Sequence, residues 1–136
     1  MTPLRIVNVI LGLMMTGFAA VQYNDPDMPL WVLMYAVPAI WMYAVTYRLH
    51  GVVGSPDIMR LLWATAVFYV VAVISLWPTM PNFWRKEVWI VEETAREGMG
   101  VMIALGVVLI AVLNTRLKSA ARVVPGNAAA GKAKRA

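Results

Sequence analysis

Four apolar runs, Leu4 to Val21, Leu30 to Tyr47, Leu61 to Trp77 and Gly98 to Leu113, carry a single charge between them, Arg5, and are separated by short polar stretches. A helix needs about 20 apolar residues to cross a hydrocarbon core about 30 Å thick, so each run predicts a membrane span. The fourth is the shortest and borrows length from the residues before it. Between the first two runs stands the polar hexapeptide Gln22-Tyr23-Asn24-Asp25-Pro26-Asp27, which a lipid-buried helix does not require.

Start signals precede three of the runs. Thr2-Pro3, Asp27 with Pro29, and Ser55-Pro56-Asp57 each place a capping side chain ahead of a proline in the first helical turn, where its missing N–H costs nothing. Pro38 falls inside the second run and predicts a kink between Met34 and Pro38, because it removes one backbone hydrogen bond and crowds the carbonyl four residues earlier. Trp77-Pro78 stops the third run, and Arg48 to Gly54 reads as a short basic, flexible connection. From Phe83 to Glu97 aromatic and charged residues mix, which fits an interfacial helix or, in the alternative, an irregular loop dipping its rings into the headgroup layer. Gly98, Gly100, Ala104 and Gly106 give the fourth helix a small-residue surface suited to close packing.

The fold expected is therefore all-α, an integral membrane bundle of four transmembrane helices with an interfacial helix before the fourth, over residues 1–118. A basic, disordered cytoplasmic tail, residues 119–136, follows it, with too little apolar content to build a core. Arg5 ahead of the first run and Gly17, Ala19 and Ala20 near its end resemble a signal peptide, but the run is long for a signal core, and an uncleaved helix is expected.

Composition agrees: 61% of residues are hydrophobic and 14% charged, far from the half-apolar, quarter-charged norm of soluble domains. There is no cysteine, which excludes disulfides and thiolate chemistry. The net charge of +5 is one-sided. Arg5, Arg48, Arg60, Arg116, Lys118, Arg122, Lys132, Lys134 and Arg135 fall on the side of the termini, against Arg85, Lys86 and Arg96 on the other. The positive-inside rule then puts both termini in the cytoplasm, here of a bacterial inner (plasma) membrane, and the hexapeptide outside. Nucleic acid is not an expected partner, since no folded module supports the basic tail. The partners expected are the lipid bilayer and a membrane protein or a second copy of the chain.

Six of the seven acids lie on the hexapeptide side, only Asp57 on the other. Gln22, Tyr23, Asn24, Asp25, Asp27 and Trp31 from the first loop, with Glu93, Arg96 and Glu97 from the second, form the candidate polar site. The plainest role for it is structural, Arg96 pairing with an aspartate of the first loop and with the glutamates three or four positions away. Turn chemistry explains Asn-Asp-Pro-Asp alone, and the dipole at the start of the fourth helix explains one acid more easily than three. The functional alternatives are a small polar ligand held by Arg96, Gln22 and Tyr23, or a hard divalent cation on the carboxylates, although the spacing is not an EF-hand. A hydrolytic carboxylate pair lacks a nucleophile, a histidine and an oxyanion device beside it. His50, the only histidine, reads as solvated, and Met28, Met80 and Met99 as packing residues before copper ligands. No acidic or basic residue stands near mid-membrane, which argues against an ion-driven carrier. No cofactor is indicated.

The run Phe18-Ala19-Ala20-Val21-Gln22-Tyr23-Asn24-Asp25-Pro26-Asp27, with Trp31, Tyr35, Glu93, Arg96-Glu97 and Gly98, resembles the transmembrane protein 220 family over about residues 4–115. The resemblance implies a small multi-span membrane protein and supplies no substrate. The function expected is that of a non-enzymatic membrane protein, an accessory or scaffolding component of a membrane assembly. The alternative is a membrane protein binding a small ligand or divalent cation on its outer face.

Overall fold

The computed structural model describes the backbone of residues 1–135 and the side chains of residues 1–123. Four long helices cross the molecule: α1 (Pro3–Val21), α2 (Met28–Tyr47), α4 (Pro56–Leu76) and α6 (Glu93–Arg135). Two short ones connect them, α3 (Leu49–Gly54) and α5 (Lys86–Val91). The four long helices are long and apolar enough to span a membrane, and four traversals bring both termini to one end of the bundle. The final apolar helix counts 31 residues over Glu93–Val123, about 45 Å at 1.5 Å per residue, so both its ends project beyond the hydrocarbon. The expectation for the tail falls, from residue 124 onward, on side chains outside the described residues; Ser119 still belongs to the helix, its hydroxyl donating to the carbonyl of Thr115.

Helix starts follow the capping chemistry. The Thr2 and Ser55 hydroxyls accept from the amides of Arg5 and Ile58 at 3.4 Å each, and Pro3 and Pro56 occupy the first turns. Asp27 precedes α2 but makes no side-chain cap. The connection expected to be flexible is helical: Val52 of α3 is buried against the bundle and orders it. The segment before α6 is helical only over Lys86–Val91, and Glu92 takes an extended conformation that turns the chain into α6.

In the bundle α1 packs on α2, α2 on α6, and α6 on α4, so the last span is central. Its sequence suits that place. Val101, Ala104, Val107, Val108 and Ala111 are buried, and the glycines before them seat neighbours: Met80 lies over Gly98 and the Tyr35 hydroxyl over Gly100. A methyl group at position 98 would occupy the place of the Met80 thioether. Gly98→Ala is expected to cost about 1 kcal/mol, the low end of overpacking, because a methionine side chain can redirect. Thermal unfolding in detergent checks it, and a variant as stable as the parent removes Met80 from the packing account.

The asparagine, threonine and serine side chains inside the spans find partners, as lipid requires. Thr16, Thr65 and Ser75 donate to carbonyls one turn back, at 2.8 Å each. Asn8 of α1 and Asn114 of α6 exchange amide hydrogen bonds, Asn8 donating at 2.8 Å and Asn114 at 3.3 Å. At Pro38 the Met34 carbonyl, deprived of the N–H four residues on, accepts from the Tyr69 hydroxyl of α4 at 2.6 Å. Between α2 and α4 an apolar groove of about 440 Å³ opens beside Leu33, Val37, Leu61 and Phe68. Aromatic and basic side chains meet at the termini end, where Arg5 lies over the ring of Tyr47 and Arg116 over that of Trp63, 5.3 and 5.2 Å from the ring centres.

Candidate functional site

The hexapeptide is too polar to stay in α1, and its first three residues wind into a 3₁₀ turn, Gln22–Asn24. Asp25 then turns extended, and its amide donates back to the Gln22 carbonyl at 3.0 Å. This geometry tucks Gln22 and Asp25 inward and leaves Tyr23 and Asn24 exposed. Across from it, the break at Glu92 starts α6 at the same end of the molecule, with Glu93, Arg96 and Glu97 on its first turns.

The two segments close around a cavity of about 270 Å³ lined by Gln22, Asp25, Trp31, Glu93, Arg96 and Glu97, with Val21 and Tyr35 completing its wall. At roughly 30 Å³ per water it has room for several. A second recess of about 260 Å³ adjoins it, sharing Asp25, Trp31, Glu93 and Glu97 and adding Asp27 and Thr94. Of the nine sequence candidates, Gln22, Asp25, Asp27, Trp31, Glu93, Arg96 and Glu97 are brought together. Tyr23 and Asn24 line neither recess.

The expected ion pairs do not form. Among the described residues, Arg96 lies within 4 Å of no carboxylate of the first loop or of its own helix; the ion pairs are Arg60–Asp57 and Arg85–Glu87. The guanidinium Nη1 instead donates to the carbonyls of Trp89 and Ile90 at 3.1 and 3.2 Å. These carbonyls end α5 and have no helical donor of their own, so Arg96 caps the short helix that the break at Glu92 folds back toward it. An arginine offers five N–H donors, and Nη1 meets these carbonyls; Nε and Nη2 donate to no described residue. Asp25, Glu93 and Glu97 thus face one guanidinium that is partly engaged elsewhere. No group of three or more acidic or histidine side chains close enough to hold a metal ion occurs among the described residues.

Tyr35 is the residue that reasoning from sequence did not place in the site. It is buried, with 5% of its surface exposed, stacks on Trp31 at 6.2 Å between ring centres and meets Phe18 edge-on at 5.6 Å. Its hydroxyl makes no hydrogen bond to a described residue, yet it is not sealed from the cavity. The signal was present but faint: Tyr35 lies one helical turn beyond Trp31, on the same face of α2. Met80 is buried over Gly98. His50 stays at the far end, its Nδ1 3.3 Å from an Arg122 nitrogen.

The profile of a family described as Transmembrane family 220, helix, matches residues 14–113. The matched stretch includes both segments that line the cavity. No match was found among curated proteins or among solved structures.

Proposed function

We propose that this chain, which belongs to transmembrane family 220, is a membrane protein that binds a small polar ligand at the end of the bundle opposite its termini. The observation that carries this reading is Tyr35, a buried side chain whose hydroxyl opens onto the cavity without a partner among the described residues, beside carboxylates that form no ion pair there. A ligand carrying donors and acceptors can pair with these groups, each such hydrogen bond contributing about 0.5–1.5 kcal/mol. An ion-pair clamp would leave no such space. The absence of a three-carboxylate cluster among the described residues turns the choice from a divalent cation toward an organic ligand.

The test is thermal stability in mild detergent across a panel of amines, amino acids and phosphorylated headgroup compounds. A ligand at a hundredfold its Kd is expected to stabilise the fold by about 2.7 kcal/mol, and Asp25→Asn or Glu97→Gln is expected to abolish that gain. A flat response across the panel sinks the reading.

The charge distribution supports placing the site on the outer face, with both termini cytoplasmic. Because the chain has no cysteine, single cysteines report the side cleanly. Tyr23→Cys is expected to react with a membrane-impermeant maleimide in intact cells, and Gly51→Cys only after lysis. The reverse pattern inverts the topology.

An accessory role in a membrane assembly is a second reading, favoured by the groove between α2 and α4. Recovery of one stoichiometric partner from mild detergent, lost in Phe68→Ala, is its expected result; a lone species counts against it.

A further inference from the structure

The polar cavity does not end at Tyr35. Gln22, Tyr35 and Arg96 also line a cleft of about 350 Å³ that continues down the bundle past Phe18, Met99 and Ile103. Its lower wall is apolar, and Ile103 is 40% exposed on the flank where lipid chains lie. A charged chamber thus opens directly into a hydrocarbon-lined cleft, with Arg96 at the junction and the acids beyond it.

Resting on the proposed binding function, we propose that the ligand is a zwitterionic aminophospholipid, its headgroup in the polar cavity and one acyl chain in the cleft. The order of charges selects it. In such a lipid the phosphate stands next to the glycerol and the ammonium farther out; Arg96 lines both the cleft and the polar cavity, whereas Asp25, Glu93 and Glu97 line the cavity alone. The free N–H groups of Arg96 suit phosphate oxygens. The ammonium meets the carboxylates, donates to the Tyr35 hydroxyl and approaches the Trp31 ring. An anionic headgroup without the amine would set its charge against three carboxylates and one guanidinium. A water-soluble amine would fill the chamber and leave the cleft unused.

The experiment compares three probes on the full chain in neutral detergent, by native mass spectrometry and thermal shift: phosphatidylethanolamine, phosphatidylglycerol with the same chains, and free phosphoethanolamine. Phosphatidylethanolamine is expected to bind at least tenfold tighter than either of the others. Glu97→Gln should erase the preference over phosphatidylglycerol. Ile103→Trp, which fills the cleft from an exposed position, should weaken the lipid at least tenfold and leave free phosphoethanolamine unchanged, with an unaltered helical circular dichroism spectrum showing that the fold survives. Equal binding of the free headgroup, or indifference to Ile103→Trp, overturns the lipid assignment while the pocket reading stands. Equal binding of phosphatidylglycerol overturns the headgroup assignment. Binding of none of the three, with the wider panel flat as well, overturns both.

Discussion

Asn114→Leu is expected to lower the unfolding free energy of the bundle by about 2 kcal/mol, and Asn8→Leu by less. The two amides are buried, Asn8 2% and Asn114 3% exposed, and join the first span to the last across a sequence distance of 106 residues. Their loss is not symmetric. When Asn8 is replaced, the Asn114 amide keeps its bond to the Ile110 carbonyl at 2.8 Å. When Asn114 is replaced, Asn8 loses both of its side-chain hydrogen bonds. A buried amide without a partner costs about 1–3 kcal/mol, whereas removing both partners together leaves nothing unsatisfied. The double variant Asn8→Leu/Asn114→Leu should therefore be well more stable than the summed single losses imply, with a coupling of about 1–2 kcal/mol. Reversible unfolding in mixed micelles measures all four corners of the cycle. Additive losses, or Asn8→Leu as the costlier change, would show that the amides do not act as a pair.

The sequence made the spans legible because lipid enforces a simple rule: backbone polar groups must be satisfied within the segment, so each span is a long apolar helix with readable start signals. Thr2, Ser55 and their prolines open α1 and α4 as capping chemistry requires. The order of the spans around the bundle was not legible. Lipid-facing and helix-facing surfaces are both apolar, so periodicity barely separates them, and the small residues of the fourth run indicated close helix contact without saying whether within the bundle or with a partner. Half of the site was legible by the same logic. Topology gathers the hexapeptide and Glu93 to Glu97 at one end, and the structure closes them on a shared cavity. What Arg96 holds depends on the helix break at Glu92, a backbone event that residue spacing on an assumed continuous helix hides. Tyr35 was hidden for a related reason: a tyrosine in a span is usually a packing residue, and only the seat over Gly100 shows its hydroxyl at the cavity wall.

The polar link between α2 and α4 carries the second large effect. Tyr69→Phe keeps the buried ring and its edge-on contact with Phe68, 5.4 Å between centres, and removes only the hydroxyl. The Met34 carbonyl then has no donor, because Pro38 has no N–H to give and the surroundings are hydrocarbon. The expected loss is about 2 kcal/mol, within the range for an orphaned buried acceptor. The same reasoning fixes what a second substitution must do. Pro38→Ala returns an N–H to position 38 and lets the helix supply the Met34 carbonyl itself. In that background Tyr69→Phe should cost only about 0.5 kcal/mol, the low end for a hydrogen bond whose loss orphans nothing. A cost that is unchanged by Pro38→Ala would mean that Tyr69 stabilises the bundle by some route other than the carbonyl the proline sets free. A reduced cost identifies what the hydroxyl does. A proline in mid-span, which lipid would otherwise penalise, is made tolerable by a donor from the neighbouring helix, and the stretch of α2 that carries Trp31 and Tyr35 to the cavity then depends on α4.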